Sequence, residues 1–129
     1  RLIYEGNECF IISVGSMLKY SVKARDELER IGVSTGIVDL TFIKPLDLEM
    51  IDYVLSKARV IVSVEDGVRI GGIGESIGNY LLTKGFKGKF FNIGVPDSFP
   101  GLGTRDELFR DFGMDAEGIA KKVIELMRI

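Results

Sequence analysis

Two neighbouring carboxylates, Glu65 and Asp66, end the apolar run Val60-Ile61-Val62-Ser63-Val64, and Gly71-Gly72-Ile73-Gly74-Glu75-Ser76-Ile77-Gly78 follows a few residues later. A glycine-rich turn that leaves a strand and opens a helix presents free backbone N–H groups and the positive end of the helix dipole, which together attract anions. The spacing departs from the familiar phosphate loops. GxGxxG would need glycine at position 77, which is Ile77, and no Gly-Lys-Ser/Thr follows. Two readings therefore stay open for Gly71, Gly72 and Gly74: close packing of a helix on a sheet or on another chain, and phosphate or nucleotide binding.

General acid–base work by paired carboxylates needs two separately tuned environments facing one substrate. Neighbours on a strand point to opposite faces, so at most one of Glu65 and Asp66 can face a given site. Glu65 reads as a hydrogen-bonding or interface residue rather than a catalytic one. Asp39 and Asp47 read as a strand-end residue and a helix cap. Lys44, before Pro45, reads as a solvated loop lysine, and Asp97 and Ser98 between Pro96 and Pro100 as turn residues.

Residue types remove other chemistry. The 129 residues include no histidine, so an imidazole base, a Ser-His-Asp triad and a His-ligated metal are out of reach. The single cysteine, Cys9, forms no internal disulfide or CxxC motif and lies in an apolar run, as a buried small hydrophobe would. Seventeen basic and nineteen acidic residues give a net charge of −2 without a basic cluster, so nucleic acid is not an expected partner. No apolar run approaches the ~20 residues of a membrane-spanning helix, so no membrane partner is expected either. Arg1 stands in place of an initiator Met with no signal-like segment after it, as expected of one domain, residues 1–129, cut from a longer chain.

The elements that must position these residues follow from alternating periods of about 2 and 3.6. Leu2–Tyr4, Cys9–Val14, Val33–Leu40, Val60–Val64 and Phe90–Ile93 read as strands. Helices are expected after Gly15-Ser16, with Met17, Ser21, Ala24, Leu28 and Ile31 on one stripe, after the cap Asp47, and from Gly72 to Lys84. A capping box at Thr104–Glu107 and a cap at Asp115 open the last two. The order β-β-α-β-α-β-α-β-α-α implies right-handed crossovers, hence a three-layer α/β/α sandwich. Its five-stranded sheet is mostly parallel, with the first strand antiparallel at an edge.

Cys9–Ser16, the run Asp39-Leu40-Thr41-Phe42-Ile43-Lys44-Pro45-Leu46-Asp47, and Val62–Gly67 with Gly71–Gly74 together resemble the C-terminal domain of the transketolase family. Gly94–Phe99, Gly103-Thr104, Leu108 and Gly113–Ile119 are most similar to the members that join pyruvate to glyceraldehyde 3-phosphate with loss of CO2, at the head of an isoprenoid pathway. Transketolase itself and the beta subunits of 2-oxo-acid dehydrogenases carry similar domains. The resemblance implies a transferase parent that is cytoplasmic, homodimeric and dependent on thiamine diphosphate and Mg2+. It places those cofactors on the preceding domains and none on this chain, which would pack on its neighbour domain and build the dimer. It carries no catalytic, cofactor or metal residue onto this sequence. The alternative is a regulatory module binding an anion or nucleotide at the glycine-rich helix start. The surface chosen for assembly is Val68-Arg69-Ile70 with the helix from Gly72 to Tyr80, so Glu65, Ile70, Gly71, Gly72 and Gly74 are the candidate residues.

Overall fold

Cys9–Val14 (β2) is buried at every position, and it is the strand on which the others are laid. A strand in the middle of a parallel sheet is covered on both faces, so a continuous apolar run is what that place demands. The computed structural model describes residues 1–40, 46–68, 72–95 and 105–128. Around β2 lie β1 (Leu2–Tyr4), β3 (Thr35–Leu40), β4 (Val60–Val68) and β5 (Lys89–Val95), in the order β1-β3-β2-β4-β5. β2 pairs parallel with β3 and β4, β4 pairs parallel with β5, and β1 runs antiparallel to β3 at the edge.

The chain moves from β2 outward to β3 through α1 (Leu18–Arg30), then back across β2 to β4 through α2 (Leu48–Lys57) and on to β5 through α3 (Ile73–Thr83). Right-handed crossovers in opposite directions put their helices on opposite faces. Accordingly Met17, Ala24 and Leu28 of the first crossover pack on one face of the sheet, with α4 (Arg105–Asp111) and α5 (Ala116–Met127). Ile51 and Val54 of α2 and Ile77 and Leu81 of α3 cover the other face. A Cβ on Gly36 of β3 would fall within the Phe10 ring, so that glycine lets the ring lie flat across the sheet.

The helix ends obey local rules. Asp47 accepts from the Met50 amide at 3.1 Å and Asp115 from the Gly118 amide at 2.9 Å. Gly32, at φ +85°, closes α1. One side chain leaves the stripe that the periodicity predicts. Ile31, placed on the buried stripe, is 62% exposed because α1 ends at Arg30 and the turn carries residue 31 off the helical face. Arg25, paired with Glu29 at 3.9 Å, also lies over the Tyr4 ring at 4.0 Å and so ties α1 to the edge strand β1.

Helix α2 is stapled on both sides by the same device, a tyrosine and a lysine four residues apart closing on a carboxylate of another element. Tyr53 donates to Glu5 at 2.5 and 2.6 Å and Lys57 does so at 3.2 Å. Tyr80 of α3 donates to Asp52 at 2.7 Å, with Lys84 4.0 Å away. The tyrosine hydrogen bond, followed by that of Lys57, holds the Glu5 carboxyl below its ordinary value. A carboxyl depressed in the folded state adds stability that is present above its unfolded value near 4.5 and is lost as pH falls through the folded value. Melting temperature measured against pH should therefore separate the wild type from Glu5→Gln above pH 5 and bring the two together below about pH 3. The gap should shrink in high salt, since the cluster is exposed.

Candidate functional site

In an open α/β sheet the crevice that receives ligands lies beyond the carboxyl ends of the strands, where successive crossovers turn in opposite directions. Here that point falls between the ends of β2 and β4, at Gly15-Ser16 on one side and Glu65-Asp66 on the other. Alternation along β4 sends the two carboxylates to opposite faces, and each meets the start of a different helix.

Asp66 reaches across the crevice to the 3₁₀ turn Gly15–Met17 that leads into α1. Its Oδ2 accepts from the Ser16 amide at 3.0 Å and from the Ser16 hydroxyl at 2.7 Å. Gly15 adopts φ +71°, and a Cβ there would collide with the Asp66 carboxylate, so glycine is required twice over. Glu65, 4% exposed, turns to the other face and accepts from the amides of Ile73 at 3.0 Å and Gly74 at 3.2 Å, the first two residues of α3. An ionised carboxylate at a helix start satisfies orphan donors and meets the positive end of the dipole.

Glu65 is itself held. Asn92 of β5 donates to its Oε1 at 3.0 Å, and the Asn92 carbonyl accepts from the Ser63 hydroxyl at 2.8 Å. Buried Ser63 and Glu65 and half-buried Asn92 form one network joining β4, β5 and α3. A Cβ on Gly74 would fall on the Asn92 carboxamide, so this glycine makes room for the network. Asn92 was not singled out by the sequence. The only signal for it is an amide side chain in an otherwise apolar strand, level with Ser63 across the parallel pair.

Of the residues named from the sequence, Glu65, Gly72 and Gly74 meet at the start of α3, with Gly72 as the extended residue before its first turn. Ile70 and Gly71 lie outside the described residues, as do Lys44, Asp97 and Ser98. Asp39, buried at the end of β3, is 3.6 Å from the Arg1 guanidinium. Burial pushes the Cys9 thiol well above its ordinary value, so it is no nucleophile. No three acidic, histidine or cysteine side chains converge on a possible metal position among the described residues. No helix among them is long and apolar enough to cross a membrane.

The class this defines is a doubly wound α/β domain whose crevice and neighbouring helix start are both closed by carboxylates of one of its own inner strands, β4. Residues 1–119 match the transketolase C-terminal domain family, and the chain belongs to that family. It is 38% identical over 128 residues to the 1-deoxy-D-xylulose-5-phosphate synthase of Chlorobium luteolum, covering 99% of this chain and 20% of that protein. It is 34% identical over 117 residues to the same enzyme of Clostridium tetani, covering 91% of this chain and 19% of that protein. The chain thus spans about one fifth of the length of these curated relatives. Among solved structures it superposes on a split-gene transketolase described as an inactive β4 tetramer. The TM-score is 0.87 at 26% identity, over 99% of this chain and 43% of that one.

If the carboxylate network holds the strand ends and α3 together, Glu65→Ala orphans the buried Gly74 amide and the part-buried Ile73 amide and should lower stability by about 1–3 kcal/mol. Asn92→Ala should act through the same contacts. A double-mutant cycle in urea should then show the two effects coupled by about 0.5–3 kcal/mol. Strict additivity would mean that Asn92 does not hold Glu65.

Proposed function

We propose that this chain is the C-terminal assembly domain of a longer, thiamine-diphosphate-dependent synthase of the 1-deoxy-D-xylulose-5-phosphate type, and that it supplies packing surface rather than reacting groups. One observation carries the reading. The backbone donors at the crevice, where this fold would grip an anionic substrate or cofactor, are already engaged by Asp66 and Glu65. A diphosphate at the start of α3 would have to displace a buried carboxylate, and the described residues offer no acidic cluster for its magnesium. They do not fit the cofactor, whose site we place on the remainder of the longer protein. Condensation of pyruvate with glyceraldehyde 3-phosphate, the homodimer and the cytoplasmic location belong to that proposed parent.

Calorimetric titration of this chain with thiamine diphosphate and Mg2+ should give no binding in the micromolar range, and pyruvate with glyceraldehyde 3-phosphate should not be condensed. Micromolar binding would overturn the reading. The dimer is assigned to Ile70 and the beginning of α3. Sedimentation equilibrium should show self-association between micromolar and millimolar concentration, weakened by Ile70→Asp. Specific interfaces usually bury more than ~1,000 Å² in total, so a patch on one small domain should not hold a tight dimer.

A further inference from the structure

The two edges of the sheet are finished differently. β1 is three residues long, its register slips between Leu2 and Tyr4, and Arg25 lies over its Tyr4 ring. Shortness, irregular pairing and a covering cation are the means by which proteins keep an edge from recruiting another strand. β5 differs in length and regularity: its pairing with β4 keeps register from Lys89 to Ile93 and slips beyond it, and the cation near it, Lys122, lies over the Phe91 ring on the α5 side. The strand is seven residues long, contains no proline, and carries its only charge at its first residue, Lys89. Among the described residues it has a neighbour, β4, on one side only.

Each face of β5 also opens into a groove. On the α3 side Phe90 lies beside Gly78, Leu82 and Phe86 in an apolar groove of about 410 Å³, and Leu82 is 79% exposed. Gly78 keeps that groove open, because a Cβ there would press on the Phe90 ring at 2.9 Å. On the α5 side Phe91 and Ile93 floor a groove of about 290 Å³ whose wall carries Lys121, Lys122 and Glu125. Lys122 is engaged with Glu125 at 3.1 Å and with the Phe91 ring at 4.3 Å. Lys121 is exposed and has no ion pair among the described residues. On that same face of β5, the Lys89 ammonium is buried and has no hydrogen-bond partner among them. The α5 face of this edge therefore has cations in excess of acids.

We propose that β5 is a strand-addition site for an extended segment of another polypeptide that alternates apolar and acidic residues. Side chains of an added strand point alternately to the two faces, so its apolar residues would enter the Leu82–Phe86–Phe90 groove. Its carboxylates would face Lys121 and Lys89. Main-chain hydrogen bonds to the open edge give the affinity, and the two unlike grooves set the register. A second copy of this chain fits poorly, because two-fold pairing of β5 with itself sets Lys121 and Lys122 of one copy against those of the other. Among the described residues, alternating stretches such as Val38-Asp39-Leu40 are already inner strands.

The test uses two blocked peptides of the length of β5, one alternating Leu and Glu, the other Leu and Lys, titrated into the 15N-labelled chain. The acidic peptide should bind about tenfold tighter at low salt. It should shift the amides of Lys89–Val95 and slow hydrogen exchange at alternate β5 positions. Lys121→Glu, at an exposed site, should narrow or reverse the preference without changing the melting temperature. Equal affinity for the two peptides, shifts centred elsewhere, or no binding up to millimolar concentration would overturn the proposal. So would protection of β5 that rises with protein concentration in the absence of peptide, which would make the occupant a second copy.

Discussion

The acidic pair where β4 leaves its pairing with β2 is the constraint on which the ligand-facing end of this domain depends. Two consecutive carboxylates cannot share a face of a strand, so Glu65 and Asp66 divide between the two helical layers. Asp66 holds the turn that starts α1, and Glu65 holds the first amides of α3. One strand thus sets the position of one helix on each side of the sheet. Because the contacts are charge-assisted hydrogen bonds to donors that would otherwise be orphaned, they fix geometry more tightly than apolar packing alone. Gly15 and Gly74 are the corollary, each lacking the Cβ that would collide with the network.

This arrangement uses the physics of an anion site for an internal purpose. Helix starts at the carboxyl end of a parallel sheet can hold phosphates, and here the anions are part of the chain. Glu65 is further tied through Asn92 to Ser63, so the third partner comes from the strand that follows α3. The crossover is closed at its beginning and its end by the side chains of Ser63, Glu65 and Asn92 and the amides of Ile73 and Gly74.

The outer layer on the α2 side is held by different means. Glu5 and Asp52 each accept from a tyrosine, with a lysine one helical turn on beside it, locking α2 to the loop after β1 and α3 to α2. The Asp52 hydrogen bond raises the Tyr80 hydroxyl above its ordinary value, so the contact persists across the neutral range. Neither staple joins residues near in sequence across elements; Glu5 and Tyr53 are separated by 48 positions.

Local pattern alone was enough for much of this molecule. The strands, their mixed orientation, the caps Asp47 and Asp115 and the stop at Gly32 were legible because they depend on residues within one or two turns of one another. The family resemblance rested on residues at the strand ends, from Cys9–Ser16 to Gly71–Gly74. Alternation also settled that Glu65 and Asp66 could not work as a pair on one site. What each carboxylate touches was not legible, since Ser16 lies 50 positions from Asp66 and Asn92 lies 27 from Glu65. Periodicity could not show that Ile31 leaves the buried stripe or that Asn92 faces Glu65, because both depend on how separate elements meet. The glycines before α3 left packing and anion binding both open, and the capping of that helix start by Glu65 came only when the sheet brought β4 beneath it, for a backbone donor counts as free only until tertiary structure delivers an acceptor.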